Sequence, residues 1–461
     1  MSNTEMTTSM KIMTVNALAG AGKTFSASRW AARSAATGQK YLLVQPTVEL
    51  ITETEAIMRS FAPDLTVTAI HSGTTQHVVR DIMERTRTSP TGLGEMVLVT
   101  HAAFERVPYW ANAHEWNVIV DEVIQADRSF DFNLPNTHDL VTRAIGTVGH
   151  DFRYARVVPS DLEYLEALAR NRGGDEVYDR FSGFAATLLS AHWDTFVGDS
   201  AYHALVTGHH EGRGKLLAFA SLNPSIFAPF RSATVMGACL AESMMYQLWR
   251  ERGVDFQPHR AIEAGLQFSA HPNDHLLTIL YCFDEPWSKS QRDQIVDADA
   301  GKVRLLDALV PEIAKEFAGQ PFVWLGNKDL PDSFLSNQGI RLPNTPHGLN
   351  RYRHINNCVV LSALNPVPGH FKFLSTRGID ASAVRDAHYH QAIYQAVMRT
   401  SLRDPASVVP KKLIVMDKPA AEWLLQVFPR AAVGRLGSAV QPVVRRAGRP
   451  RKHADAYERQ R

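Results

Sequence analysis

The sequence predicts an α/β protein: two doubly wound parallel-sheet domains in tandem, with a mainly helical insert in the first. Three observations predict it. Short, β-branched apolar runs alternate with helix-like stretches, the pattern of βαβ units. The alternation breaks over about residues 130–212 and then resumes. A second series of the same kind begins beyond the polar stretch QFSAHPND (267–274).

In order, KIMTVNAL (11–18) reads as a buried strand, followed by a Gly-rich turn and a helix from about Thr24 to Thr37. YLLVQP (41–46) is the next strand, and a helix starts near Val48. LTVTAI (65–70), MVLVTH (96–101) and WNVIVDE (116–122) are further short strands. The stretches LEYLEALARN and FSGFAATLLSAHW make the insert helical. KLLAFASL (215–222) and SATVMGA (232–238) resume the strand alternation, and AESMMYQLWRERG is a helix ending at Gly253. The second unit comprises HLLTILYCF (275–283), a helix over about 299–318, PFVWLGN (321–327), NCVVLSAL (357–364), a helix around 386–403 and KKLIVMD (411–417). The expected division is a polar tail at 1–10, a first domain at 11–266, a second at 267–432 and a basic, disordered tail at 433–461. Two α/β units joined by a short linker place a cleft between them, where ligands commonly bind.

At 461 residues, 45% hydrophobic and 21% charged, the chain has the composition of a globular protein with a large core, not of a disordered or coiled-coil chain. It contains no apolar run of membrane-spanning length, and MSNTEMTTSM lacks the pattern of a secretory signal, so no membrane contact is expected. The three cysteines (Cys239, Cys282, Cys358) never form CxxC, which argues against a disulfide framework or a zinc ribbon and for a cytoplasmic setting. The nineteen histidines form no HExxH, and no GxSxG is present, so neither a transition metal nor covalent catalysis is expected. Net charge is +2, unevenly spread. From Arg435 to Arg461 eight Arg/Lys stand against Asp455 and Glu458, which leaves residues 1–434 at −4. A cationic tail of this kind suits a polyanion or is merely solvated.

Chemistry concentrates first at Ala17-Leu18-Ala19-Gly20-Ala21-Gly22-Lys23-Thr24, between a strand and a helix. Glycines let backbone N–H groups face a phosphate chain, and the helix N-terminus adds a favourable field. Residues Ala19 to Thr24 are the candidate ATP-binding set: Lys23 supplies a point charge for the β/γ-phosphates and the Thr24 hydroxyl a ligand for Mg²⁺. Ala17 stands where the strict pattern has Gly.

Asp121-Glu122 follows the buried run VIV (118–120). An acidic pair after a strand is often a solvated turn. Beside a phosphate loop it gains a chemical role: Asp121 to hold Mg²⁺ and Glu122 to polarise the attacking water. On the helix near 390–403, a spacing of four puts Gln391, Gln395, Arg399 and Arg403 on one face. Such a face is either solvated or, aimed at a nucleotide on the other domain, a source of charge stabilisation at the γ-phosphate.

This ordered set resembles superfamily 2 helicases of the DExx type, and of these a phage or plasmid type. AxxGxGKT (17–24) is similar to motif I and DEVI (121–124) to motif II. Pro46-Thr47 with Glu49-Leu50 is similar to motif Ia, and Val99-Thr100-His101 with Phe104 to a later strand-contact motif. Ser232-Ala233-Thr234 resembles motif III, GLNRYRHINNCVVL (348–361) the motif V region, and Gln395, Arg399 and Arg403 motif VI. The two arginines are four apart where the family pattern has three. The resemblance spans about 11–430 and implies two RecA-like lobes, ATP and Mg²⁺ between them, and a nucleic-acid strand crossing both. It implies a DNA helicase or translocase in which Asp121, Glu122, Gln395, Arg399 and Arg403 are catalytic and Thr47, Thr100 and His101 contact nucleic acid.

The partner expected is DNA, single-stranded or forked. In the tail, Gly448-Arg449-Pro450-Arg451-Lys452 resembles an AT-hook, with Ala447 in place of its leading Arg. Arg449, Arg451 and Lys452 would lie in a duplex minor groove or neutralise phosphates without preference. The other readings are an ATPase switch without strand separation and a packaging-type motor. The motor would need a carboxylate cluster in the second unit, where only Asp284-Glu285 suggests itself.

Overall fold

The computed structural model describes residues 9–209, 214–298, 301–335, 339–343 and 351–437. Lobe 1 opens with β1 (Lys11–Asn16), α1 (Lys23–Ala35), β2 (Lys40–Gln45), α2 (Val48–Phe61), β3 (Thr66–Ile70), α3 (Val78–Thr88), β4 (Glu95–Thr100), α4 (His101–Arg106) and β5 (Trp116–Asp121). The insert follows with β6 (Asp127–Asn133), α5 (Asp139–Thr142), β7 (Ile145–Gly149), β8 (Tyr154–Pro159), α6 (Leu162–Arg170), α7 (Glu176–Leu189), β9 (Trp193–Gly198), α8 (Asp199–Val206) and β10 (Lys215–Leu222). Lobe 1 then closes with β11 (Ser232–Gly237), α9 (Met244–Glu251), β12 (Asp255–Pro258) and α10 (Arg260–Glu263).

Lobe 2 begins with β13 (Leu277–Phe283), α11 (Lys289–Arg292), β14 (Ile295–Ala298), β15 (Gly301–Arg304), α12 (Leu305–Phe317), β16 (Phe322–Leu325), β17 (Gly339–Arg341) and β18 (Asn357–Val360). It continues with α13 (Pro368–Ser375), α14 (Ala381–Arg385), α15 (Gln391–Val397), β19 (Lys411–Asp417), α16 (Lys418–Val427) and β20 (Ala432–Arg435). The change of sheet falls between Glu263 and Leu277, so QFSAHPND lies on the connection between the lobes.

Both lobes are α/β with parallel sheets, in the expected arrangement of two RecA-like units. The lobe 1 sheet runs β12-β1-β11-β5-β2-β4-β3, and every pairing in it is parallel. The lobe 2 sheet runs β17-β16-β18-β19-β13-β20, again all parallel. The central strands are buried along their length, β2 without exception, because helices cover both faces. This is why KYLLVQ is a continuous run and not an alternating one. Each sheet separates two apolar layers. No described helix is long and apolar enough to cross a membrane.

The insert departs from the sequence expectation. Its helices are present, but they pack on a five-stranded sheet of order β6-β10-β9-β8-β7 with antiparallel pairings. KLLAFASL is therefore not a strand of the parallel sheet, as the alternation suggested. As β10 it lies between β6 and β9 in the insert's sheet, which runs from Asp127 to Leu222, somewhat beyond the expected bounds of about 130–212. A second surprise is that α13 of lobe 2 packs on the insert. Phe373 stacks on Phe219 with centroids 5.0 Å apart and also meets Tyr154 and Phe196. The lobes thus meet at this aromatic junction as well as at the cleft below.

Candidate functional site in the cleft between the lobes

The site grows from strand ends. β1 and β5 are both linked to β11, so the loops after Asn16 and Asp121 emerge at the same edge of the sheet. After β1 the chain turns through Gly20 (φ +83°) and Gly22 (φ +84°), conformations open to glycine and strained for other residues. Gly22 caps α1 without a side chain, which leaves the first-turn N–H groups facing the cleft. Lys23 is buried, and its Nζ donates to the carbonyls of Ala17 (3.4 Å) and Leu18 (3.3 Å).

Thr24 Oγ1 donates to Asp121 Oδ2 at 2.6 Å. Gln45 Nε2 donates to the same oxygen at 3.2 Å and to Thr54 Oγ1 at 2.9 Å. Burial pushes the Asp121 carboxyl above the usual range, and the neighbouring Glu122 charge adds to this. Thr24, Lys23 and Gln45 oppose it. Glu122 adopts φ +66°, a left-handed conformation that is strained for a residue with a Cβ. Strain of this kind is found where a side chain must be aimed. Hard oxygen donors at this spacing suit Mg²⁺.

Lobe 2 supplies the facing wall. One cavity of about 480 Å³ is lined by Gly20, Gly22, Lys23, Thr24 and Glu122 from lobe 1 and by Arg353, Gln395, Arg399 and Arg403 from lobe 2. The expected single helical face is not what brings these arginines in. α15 ends at Val397, preceded by a π-helical stretch at Asp386–His390. Arg399 sits in the turn that follows, and Arg403 on a 3₁₀ turn at Ser401–Arg403. The cause is local: Thr400 Oγ1 bonds the Val397 carbonyl and accepts from Leu402 N–H, and Ser401 Oγ bonds Asn356. These hydroxyls compete with the helix ladder.

Arg399 is 3% exposed. Its NH2 group donates to Gln395 Oε1 at 3.1 Å, and its Nε has no hydrogen-bond partner among the described residues. Burial, then repulsion from Arg403, lowers its pKa to about 10. It remains a cation at neutral pH, poorly compensated and facing an anion-sized space. Arg403 is likewise lowered by burial and by Arg353.

Of the expected nucleic-acid contacts, Thr47 accepts from Leu50 N–H and caps α2, and Thr100 accepts from Ala103 N–H and caps α4. His101 is half-buried, with Nε2 2.9 Å from the Asp121 carbonyl. All three are thereby tied to the folding of the strand ends. Arg449, Arg451 and Lys452 lie outside the described residues, as do the first three residues of GLNRYRHINNCVVL. Ser232-Ala233-Thr234, the stretch similar to motif III, begins away from the cleft. Ser232 opens β11 and its hydroxyl bonds Asn117, whereas Met236 is the residue beside Asp121. Four residues of strand, roughly 13 Å, separate them. The stretch that faces the cleft is Gly237-Ala238-Cys239: the Gly237 carbonyl accepts from Ala17 N–H and the Cys239 carbonyl from Gln391 Nε2.

Sequence reading missed Gln45, Arg353 and Gln267 as cavity or acid-pair neighbours. Arg353 lies inside the stretch noted at 348–361, and Gln45 directly precedes Pro46-Thr47, so position relative to a motif was the available signal.

No protein-family model matches the chain, and no curated protein matches it in sequence. Its form is similar to an XPD helicase structure at 11% identity and a TM-score of 0.46, over 92% of this chain and 96% of that one. It is also similar to Mss116p bound to ssRNA and AMP-PNP, at 9% identity and a TM-score of 0.36, over 94% and 72% of the two chains. S. cerevisiae Dbp5 bound to RNA and ADP BeF3 aligns at 10% identity and a TM-score of 0.37, over 93% and 86%. At such values the functional reading rests on the geometry of the cleft alone.

Proposed function

We propose that this protein is an ATP-dependent helicase or translocase of superfamily 2 type that acts on DNA. The observation that carries the reading is the single cavity in which Lys23, Thr24 and Glu122 face Arg353, Arg399 and Arg403 of the other lobe. Triphosphate would lie along the N-terminus of α1, with Lys23 leaving the Ala17 and Leu18 carbonyls for the phosphates. Thr24 and Asp121 would hold Mg²⁺, which when bound neutralises phosphate charge. Glu122 orients and polarises water for in-line attack. Arg399 and Arg403 stabilise charge on the γ-phosphate, and Gln395 holds Arg399 in line. Because the two halves of the site sit on different lobes, hydrolysis is tied to their relative position, the requirement for stepping along a strand. The preference for DNA comes from the tail, with its cations around Gly448-Arg449-Pro450.

ATP hydrolysis measured in parallel without nucleic acid, with single-stranded DNA, with duplex DNA and with RNA tests the reading. Stimulation by DNA is expected, with strand displacement on a forked substrate. Absence of hydrolysis under all four conditions would sink it.

A further inference from the structure

The phosphate loop is gripped from the opposite lobe. The backbone N–H of Ala19 donates to the phenolic oxygen of Tyr394 at 2.8 Å. The same oxygen lies 2.9 Å from Nε2 of His271, on the connection between the lobes. All three residues are buried, and Ala19 packs within the apolar cluster that includes Ile393, Tyr394 and Val397 of lobe 2. His271 is itself fixed: its ring packs on Phe428 with centroids 4.8 Å apart, and its carbonyl accepts from Arg430 NH2. Burial pushes its imidazole pKa down to about 4; in the tautomer with the proton on Nδ1, Nε2 accepts the Tyr394 O–H while the phenolic oxygen accepts the Ala19 N–H. On the other flank of the loop, the connection bonds it again through Gln267 N–H to the Ala21 carbonyl at 3.0 Å.

We propose that Tyr394 is a positioning residue: its hydroxyl, braced by His271, holds the phosphate loop in the shape that receives nucleotide. This rests on the nucleotide-binding reading given above and adds a route to it. Ala19 lies outside the Gly-Lys-Thr end of the loop, so the grip leaves the amides of Gly22, Lys23 and Thr24 for phosphate. The hinge, lobe 2 and the loop share one oxygen atom, so any rotation of the lobes that moves Tyr394 acts on the loop as well as on the approach of the arginines. The loop's affinity for nucleotide is thereby set by the position of the lobes.

The test compares the full-length chain with Tyr394→Phe, which keeps the ring and removes the hydroxyl. The control is Tyr389→Phe, a buried tyrosine of the same stretch away from the loop. Two readouts are used: hydrogen exchange of the backbone amides over residues 11–24 without nucleotide, and the separate KM and kcat of ATP hydrolysis. Tyr394→Phe is expected to expose the Ala19 amide to exchange, to raise KM about five- to tenfold, the worth of one hydrogen bond, and to change kcat less than about twofold. Tyr389→Phe is expected to match wild type in both. Unchanged exchange at Ala19, or an unchanged KM, overturns the proposal. A wild-type chain that hydrolyses no ATP counts against the proposed function, while exchange at Ala19 still decides the grip.

Discussion

Thr24 Oγ1 and Asp121 Oδ2 stand 2.6 Å apart, joining the start of α1 to the end of β5 across ninety-seven residues of sequence. β5, which ends in Asp121, and β1, whose following loop leads to Thr24, both pair with β11, so this contact follows from the parallel register of the sheet. The hydroxyl and carboxylate are thus held where a hard cation would need both.

The first prediction concerns this pair and its neighbour. Asp121→Asn keeps an acceptor for Thr24, so the fold should survive. Glu122→Gln keeps shape and loses the base that the proposed function assigns to Glu122. Both are expected to reduce ATP turnover at least about a hundredfold, the usual worth of a positioned base or acid, with little change in DNA binding. Phosphate release followed beside a DNA-binding titration checks this. Turnover near wild type in Glu122→Gln would remove Glu122 from its role.

A second prediction separates chemistry from stability at Arg399. Its guanidinium is buried, short of one partner and depressed in pKa, so it contributes little to the resting fold. Arg399→Ala should therefore lower kcat about a thousandfold while leaving the melting temperature unchanged or slightly raised. Arg399→Lys should not restore kcat, because an ammonium lacks the planar fork. A melting temperature that falls with kcat would mean that Arg399 holds the lobes together instead.

A third concerns Gly22. A Cβ there would meet the Gln267 side chain at 3.3 Å, and the φ of +84° is itself strained for alanine. Gly22→Ala is expected to weaken nucleotide binding tenfold or more by calorimetry, with DNA binding retained. Equal affinity would show that the loop does not need its left-handed turn.

Much of this site was legible because its chemistry is written locally. Gly20, Gly22, Lys23 and Thr24 are contiguous, and Asp121-Glu122 closes an unmistakable buried strand. Local spacing failed where distance or direction decides. Ser232-Ala233-Thr234 matched by composition, yet it lies at the wrong end of its strand, a property set by register. Arg399 and Arg403 were read onto one helix because four-residue spacing fits one. Thr400 and Ser401 ended that helix, and the turn still delivers both arginines to the cavity. The insert's sheet was hidden because strands such as YARVVP are short and only partly buried, so they lack the long apolar runs of a parallel core. Tyr394 carries no motif: its partners are 375 and 123 residues away in sequence.

The last prediction is a pH dependence at the second junction of the lobes. Asp127 of the insert is 2% exposed, and its Oδ2 lies 2.9 Å from His388 Nε2 and 3.2 Å from His370 Nε2, both on the lobe 2 side. Burial alone would raise the Asp127 pKa, but His388 and His370 outweigh it and hold the carboxyl far below its usual range. Burial alone would lower the pKa of His388, but the Asp127 carboxylate outweighs it and raises it. The signs then set the window. The depressed carboxyl contributes stability above its ordinary pKa and loses it only in strong acid. The raised imidazole contributes fully below its ordinary pKa and loses it as pH rises through the raised value. Full contribution is expected between roughly pH 4 and 6.5, with a decline on the alkaline side. Asp127→Asn should cost about 3 kcal/mol at pH 6, the scale for removing one partner of a buried pair, and should flatten the alkaline decline. Denaturant melts of both proteins at pH 6 and pH 9 decide it. Parallel pH profiles for the two would mean that Asp127 and His388 do not form a charged pair and that the other contacts of the junction, the stack of Phe219 and Phe373 among them, hold it.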